Sequence, residues 1–559
     1  MSVRLRGAVA GVLAGGAALG AGQLATAAIR PVASPVVAIG AALIDAAPEP
    51  VRAFAIRNFG VDDKTVLVSG VLAMFAVVAA AAGVLALRRT LAGAIAVLVL
   101  ASAGVVAAGS NTGARPADVV PSVVAGIVGT LVLGLLRGRA RAMTPEPATD
   151  TSPPARSSYD RRGLLLTGVA TAVGAATAGA AGRMLQGARF DAARSRAAVR
   201  LPEPVRTVAR PPTASAAPGA RPTPGIGRDP TASPSSRPAT PPPADASPGI
   251  GPAPSRAPSA FKVNGLSSFN TPNSGFYRVD TAILVPQLST RDWSLRIHGM
   301  VTSARTISYA ELSKRALIER DVTLCCVSNP VGGPYISTAR FLGAPLSELL
   351  AEVGVLPGAE QILTRSSDGW TCGTPTALVL DGRDAMLAIG MNGVPLPIEH
   401  GFPVRMVVPG LYGYTSGTKW IVDMELTTFG AYDPYWIKRG WSPPGPIRTE
   451  SRIDTPRSAA GPLAPGAIPV AGVAWAQHRG ISRVEVRVDG GRWNRARLGP
   501  VASKDTWRQW VWTWQAAAGE HVLQVRATDG TGATQVSTAT DPFPSGATGW
   551  HSVPVTVQI

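Results

Sequence analysis

The chain reads as an α+β protein in three parts: N-terminal transmembrane helices, a mixed α+β domain and a C-terminal β-sandwich. Three observations predict this. Apolar runs of about the length a bilayer needs, roughly 20 residues, recur through the first 190 residues. From Phe261 the apolar residues instead come in short runs separated by turns, and Trp, Tyr, Asp and Glu appear. In the last hundred residues, apolar and polar residues alternate with period two. At 559 residues the chain is too long for one domain and suggests three or four units.

The N-terminal part, residues 1–189, holds about five spans: 8–28, 66–87, 91–109, 119–136 and 163–185. The first is Ala/Gly-rich and the weakest. Residues 32–47 are apolar but short and flanked by prolines, so they read as an interfacial or re-entrant piece. Arg4 and Arg6 precede the first span, Arg88 and Arg89 separate the second and third, and Arg137, Arg139, Arg141, Arg161 and Arg162 separate the fourth and fifth. Positive charge marks the cytoplasmic side. This places the C-terminal bulk outside, on a multi-pass protein of a bacterial plasma membrane. The loop at 29–65 carries Asp45, Glu49, Asp62 and Asp63 with some Arg, a less clean external signal. Asp160-Arg161-Arg162-Gly163-Leu164-Leu165-Leu166 resembles a twin-arginine export signal in an internal position; the plainer reading is two arginines marking the inner end of a span.

Residues 190–260 are rich in Pro, Ala, Ser and Arg with few aromatics. Such composition buries too little apolar surface to fold and reads as a disordered tether. The net charge of +18 comes largely from arginines scattered in this stretch and beside the spans. With no basic helix interleaved with aromatics, the lipid bilayer is an expected partner and nucleic acid is not.

Residues 261–455 form the mixed domain. WSLRIHGMV, Val404–Pro409 and Trp420–Leu426 read as strands, and Leu346–Val353 as a short helix after a Gly-Ala-Pro turn. Residues 456–559 form the sandwich. VEVRVDGGRW, WRQWVWTW and HVLQVRATDG alternate, and Asp489-Gly490-Gly491 and Asp529-Gly530 are hairpin turns, the pattern of an immunoglobulin-like domain. Trp507, Trp510, Trp512 and Trp514 are expected mostly in its core, with an interface as the alternative.

The chemistry-bearing residues gather in three segments. The first is Phe276-Tyr277-Arg278-Val279-Asp280-Thr281. The second is Leu324-Cys325-Cys326-Val327-Ser328-Asn329, followed by Ile336-Ser337-Thr338-Ala339-Arg340-Phe341-Leu342-Gly343. The third runs from Glu399-His400-Gly401-Phe402-Pro403 through Arg405 and Pro409-Gly410 to Lys419-Trp420. His400, Arg405 and Lys419 in one loop–strand–loop unit make an anion site. A thiol in a polar turn after a strand is a candidate soft metal ligand. Taken singly, His400 is more often an ordinary loop histidine and Arg405 the partner of a carboxylate. Residue chemistry alone stops at an anionic cofactor with an optional metal. Cys325, Cys326 and Cys372 are too few and odd in number for a disulfide framework, and adjacent cysteines rarely bridge. There is no CxxC and no flavin or nicotinamide fingerprint, and the spans hold no histidine, so no haem, flavin or NAD is expected.

In order and spacing, these segments resemble the sulfite oxidase and plant-type nitrate reductase family of molybdopterin enzymes across 261–455. The sandwich resembles that family's Mo-cofactor dimerisation domain, including AGVAWAQHRGISRVEVRVDGG and a late GWH. The resemblance implies Mo-molybdopterin as cofactor and two-electron oxygen-atom transfer, with the cofactor performing the redox step. The family's Cys-x-x-Asn spacing selects Cys326 as the catalytic thiolate bonded to molybdenum and leaves Cys325 facing the other way. It further implies that Arg278, His400, Arg405 and Lys419 hold the pterin and its phosphate, that Ser416, Gly417 and Thr418 offer backbone N–H groups, and that Asn329 shapes the cysteine loop. Cys372, His298, His478 and His521 are expected to be structural; His551 fits the family pattern without a known role.

The match departs at the substrate pocket. Pro330 and Val331 stand where sulfite oxidases place paired arginines. The loop to Ile336 is short and lacks the pocket tryptophan, and Tyr435 is out of register with the active-site tyrosine. Asp280 replaces a cofactor-side histidine, and Lys438 or Arg439 are the cations available to compensate. The substrate is therefore a small molecule: sulfite, another sulfur or nitrogen oxyanion, or a sulfoxide or other oxide reduced in the opposite direction. A separate electron carrier and a homodimer through the C-terminal domain are the implied partners. The competing reading is a metal-free, surface-displayed binding module that keeps the fold.

Overall fold

The computed structural model describes residues 3–59, 62–111, 113–141, 157–205 and 261–558. It contains N-terminal apolar helices, a mixed α+β domain and a C-terminal all-β unit.

The helices are α1 (Val3–Ala28), α2 (Pro35–Ala46), α3 (Glu49–Phe59), α4 (Asp63–Arg88), α5 (Thr90–Ser110), α6 (Val120–Arg141) and α7 (Ser157–Arg189). Among the described residues, four are long and apolar enough to cross a membrane: Val3–Ala28, Lys64–Arg88, Thr90–Ser110 and Pro116–Arg139. The expected fifth span falls within α7, which is not one of these four. The Ala/Gly-rich α1 is the central helix, packed on α4, α6 and α7. Small residues allow that approach: a Cβ added to Gly11 would meet Ala79 O at 1.9 Å, and one on Gly83 would meet Gly7 O at 2.0 Å. The 32–47 piece contains the 12-residue α2.

Part of the expected tether is ordered. Helix α8 (Ala192–Ala198) is capped by Asp191 Oδ1, which accepts from the N–H groups of Ala193 (2.9 Å) and Arg194 (3.2 Å). Arg196 donates to Pro395 O (2.7 Å) and Leu396 O (2.8 Å), Ala192 is buried, and the Val205 N–H reaches Leu317 O (2.9 Å). Composition pointed to disorder here, but a few well-placed contacts to the folded domain order the segment. Residues 206–260, the rest of that tether, lie outside the described residues.

The mixed domain holds β1 (Ser294–Gly299), β2 (Arg305–Ser308), α9 (Tyr309–Ser313), β3 (Ile318–Cys325), β4 (Ile336–Pro345), α10 (Leu346–Val353), β5 (Gln361–Ser366), β6 (Thr371–Pro375), α11 (Thr376–Val379), β7 (Met386–Met391), β8 (Val394–Pro395), β9 (Arg405–Val407) and β10 (Ile421–Thr427). One sheet has the order β2-β1-β10-β5-β6, with β1 and β10 parallel. The other runs β3-β4-β7-β8, with β9 on β7. Strand β7 is buried at every position, as expected of a strand covered on both faces.

The sandwich follows as β11 (Glu450–Thr455), β12 (Gly466–Trp475), β13 (Ile481–Val488), β14 (Asn494–Arg495), β15 (Arg497–Leu498), β16 (Arg508–Ala516), β17 (Gly519–Asp529) and β18 (His551–Val557). Its two four-stranded sheets are β11-β12-β16-β15 and β14-β13-β17-β18. Trp510 and Trp514 lie in its core, with Trp512 packed against it. Trp507 instead joins Cys325, Tyr412 and Trp475 in a second apolar cluster at the seam between the two domains.

The N-terminal helical part rests on the mixed domain. Asp45, near the end of α2, accepts hydrogen bonds from Tyr435 and from Arg439 (2.9 Å). A Cβ on Gly113 would meet the Gly369 Cα at 2.9 Å, and one on Gly40 would meet Ile283 at 2.9 Å. Helix α2, which follows α1, and the loop after α5 therefore lie on the same side as the mixed domain.

Candidate active site

Cys325 ends β3 and Cys326 begins the turn after it. Strand alternation sends the two side chains opposite ways. Cys325 is 1% exposed in the seam cluster, and Cys326 is half-buried outside it. The loop is closed by Cys326 N–H to Tyr335 O (3.0 Å), Asn329 N–H to Cys326 O (3.1 Å) and Tyr335 N–H to Asn329 Oδ1 (2.8 Å). Asn329 thus shapes the loop with its oxygen, and its buried Nδ2 has no hydrogen-bond partner. Burial pushes the Cys326 thiol up, while hydrogen bonds at Ser328 and the Lys419 charge oppose that.

Elements distant in sequence converge on this thiol. His400 follows the β7–β8 hairpin, Arg405 opens β9, and Lys419 lies in the turn before β10. His400 is 3% exposed; its Nε2 lies 3.2 Å from Asn273 O and its ring meets Phe276 edge-on at 5.3 Å. Burial, with Arg405 and Lys419 nearby, lowers it to about 4, so it is neutral at pH 7. Arg405 is 6% exposed and lowered to about 10 by burial, hence still charged. It donates to His400 O (3.3 Å) and lies over Phe341 (5.6 Å), and its Nε has no hydrogen-bond partner. Among the described residues no carboxylate forms an ion pair with it. Burial lowers Lys419 to about 8; it donates to Asp280 (2.7 Å) and to Glu399 O (3.3 Å).

Arg278 donates to Asp280 as well (2.8 Å). The cations Lys419 and Lys64 and the hydrogen bond from Arg278 hold the Asp280 carboxyl well below the usual range against the opposing effect of burial. Ser416 and Gly417 differ from the expectation that they offer N–H groups. The Ser416 and Gly417 N–H groups point at Gly413 O (3.4 and 2.9 Å), and the Thr418 hydroxyl pairs with Thr364 (2.6 Å). The turn folds back on itself and takes up the Ser416 and Gly417 donors. It contributes shape: a Cβ on Gly417 would lie 3.6 Å from Arg405 Nη2.

Sequence reading missed three participants. Tyr277 is half-buried and couples electrostatically to both Cys326 and Arg405. Asp280 looked like a lost histidine, but it is the hub of the cations. Lys64 reaches Asp280 from 216 positions away, and no local pattern signals that. His551 also gains a place. Its Nδ1 accepts from the Ile453 N–H (3.0 Å), and its ring sits where a Cβ on Gly332, in the cysteine loop, would be. The two cations expected to compensate at the substrate pocket are occupied: Lys438 lies over Tyr432 (4.2 Å), and Arg439 lies over Tyr435 (3.5 Å) and pairs with Asp45.

A half-buried thiol near a buried guanidinium that has no carboxylate partner among the described residues suits an anionic cofactor carrying a soft metal. Residues 282–436 match the family described as the oxidoreductase molybdopterin binding domain. Residues 282–436 therefore resemble a molybdopterin-binding domain of the sulfite oxidase type, and Mo-molybdopterin is the cofactor that this resemblance implies. The chain is 32% identical to sulfite oxidase of Gallus gallus over 298 residues, covering 45% of this chain and 64% of that protein. With mitochondrial sulfite oxidase of Homo sapiens the identity is 29% over 326 residues, 48% of this chain and 59% of the other. The chain thus spans less than two thirds of either relative. It also resembles the solved structure of the sulfane dehydrogenase SoxCD from Paracoccus pantotrophus, at 24% identity and a TM-score of 0.46, over 53% of this chain and 85% of that one.

The residues fit such a cofactor. Arg405 Nε and Asn329 Nδ2 are buried donors without a hydrogen-bond partner, and a buried guanidinium without a carboxylate calls for an anion. Among the described residues no group of three or more His, Cys, Asp or Glu could hold a metal. A metal at Cys326 would take its remaining ligands from the cofactor and from solvent.

Proposed function

We propose that the chain is a membrane-anchored molybdopterin oxidoreductase in which Cys326 ligates molybdenum, acting by oxygen-atom transfer on a small sulfur or nitrogen oxide. The observation that carries the reading is the buried Arg405, charged and beside His400 and Lys419, with no ion-pair partner among the described residues. Arg405 and Lys419 would hold the cofactor's anionic group, Arg278 would keep Asp280 in place, and neutral His400 would hydrogen-bond the pterin. Asn329 fixes the thiol loop; Ser416, Gly417 and Thr418 shape the floor. When bound, the cofactor supplies two-electron oxygen-atom transfer.

The pairing of Arg439 with Asp45 favours an uncharged oxide such as a sulfoxide over sulfite, because a dianion needs uncompensated cations. Electrons would pass to or from a separate carrier, and the sandwich would pair two copies. Arginine placement puts the catalytic part outside the plasma membrane of a bacterium, with Arg161 and Arg162 as an internal export signal.

The test is molybdenum and pterin content of the full chain purified from a cofactor-competent host. Near-stoichiometric molybdenum, lost in Cys326→Ser, is the expected result. Wild-type protein without molybdenum would support the metal-free binding module instead. A screen of sulfite, sulfoxides and N-oxides, with artificial electron donors and acceptors, then reads substrate and direction.

A further inference from the structure

The membrane part touches the catalytic domain at the cofactor cradle itself. Asp280, whose side chain is 6% exposed, takes the ammonium of Lys64 together with Arg278 (2.8 Å) and Lys419 (2.7 Å). Lys64 stands in the first turn of α4, the positive end of the helix, where a cation is disfavoured. Something must offset that cost, and the buried carboxylate facing it does. The placement is reinforced nearby by Asp45 on Arg439 and Tyr435 and by the close passage of Gly113 and Gly369.

We infer that Lys64 is a positioning residue of the cofactor site, supplied by the membrane part: it holds Asp280 so that Lys419 is free to turn to the cofactor's anionic group. Lys419 faces two demands. As it stands, it is spent on Asp280; if it turned to an anion with no replacement, a buried carboxylate would lose a cation, a costly arrangement. Lys64 and Arg278 remain to cover that carboxylate. Cofactor binding and docking of the membrane part are then linked, and each strengthens the other by the same factor. The inference rests on the molybdopterin reading above.

The experiment uses the full chain in detergent or nanodiscs, made in a cofactor-competent host. Molybdenum and released pterin are followed during dilution in wild type, Lys64→Met, Lys64→Arg, Asp280→Asn and the Lys64→Met/Asp280→Asn pair. Loss about tenfold faster in Lys64→Met is expected, within the usual range of coupling between sites. Lys64→Arg should retain cofactor nearly as wild type does, and Lys64→Met should add nothing on the Asp280→Asn background. A purely structural lysine would not show that dependence on Asp280. Wild-type retention in Lys64→Met overturns the inference and leaves the function standing; wild-type protein lacking molybdenum overturns both. Should Lys64→Met not fold, Asp280→Asn against the double variant decides: equal retention supports the inference, and a further loss in the double overturns it.

Discussion

Arg405 shows best how a single residue carries information about a missing partner. Removing a guanidinium from water costs several kcal/mol unless an anion compensates, and the nearest groups to Arg405 are a carbonyl and a phenyl ring. In protein prepared without cofactor, Arg405→Met should therefore raise stability by about 1–3 kcal/mol, read as an increase in Tm. In loaded protein the same change should lower cofactor retention. A cofactor-free Met variant no more stable than wild type would mean that the cation is already compensated. The two cysteines separate in the same way. Cys325→Ser buries a hydroxyl in the apolar seam and should cost about 1–3 kcal/mol while keeping molybdenum. Cys326→Ser should lose molybdenum and leave the cofactor-free Tm nearly unchanged. That the two side chains face opposite ways was legible because period-two alternation sends neighbouring strand residues to opposite faces, whereas the choice of Cys326 as ligand came from the Cys-x-x-Asn spacing. The role of Asp280 was not legible, because one of its partners comes from a helix far away in sequence.

At the scale of elements, the sandwich is a buttress for the cysteine loop. Arg452 on β11 donates to Gly333 O (2.8 Å), and His551 on β18 sits against Gly332. Sequence alternation identified these strands because one face of each meets solvent. It is silent on β4 and β7, which are covered on both sides, and on α8, whose composition hides its contacts. The seam also holds Glu450, 3% exposed, with one carboxylate oxygen lacking a hydrogen-bond partner. Burial pushes it up to about 8 from an ordinary 4.5, only partly opposed by Arg448. Because the folded value is the higher one, the stability it contributes is complete below about pH 4.5 and is lost as pH rises through about 8. His400 and His551, lowered to about 4 by burial, act oppositely: their contribution is complete above about 6.5 and is lost as pH falls toward 4. Thermal melts from pH 5 to 9 should show Glu450→Gln gaining on wild type as pH rises, reaching a few kcal/mol. A constant difference across that range would show that Glu450 is already ionised in the folded protein.

On the scale of the whole molecule, the structure shows which segments share a side, and the proposed orientation rests on charge. Helix α2, which follows α1, and the loop after α5 contact the mixed domain through Asp45 and Gly113. Arg88, Arg89, Arg137 and Arg139 lie at the opposite ends of α4, α5 and α6. Under the proposed orientation that arginine-bearing face would lie in the cytoplasm, and the acidic residues of the 29–65 loop, ambiguous in sequence, are partly accounted for because Asp45 is taken by Arg439. Reporter cysteines can check the assignment cleanly, because Cys325 and Cys372 are buried and Cys326 is only half-exposed. Val536→Cys, at a position 52% exposed in the sandwich, should react with a membrane-impermeant maleimide in intact cells. Arg139→Cys, exposed at the far end of α6, should react only after lysis. The reverse pattern would turn the molecule over and place the redox site in the cytoplasm. Labelling of both sites in intact cells would instead break the link between the arginine clusters and the inner face.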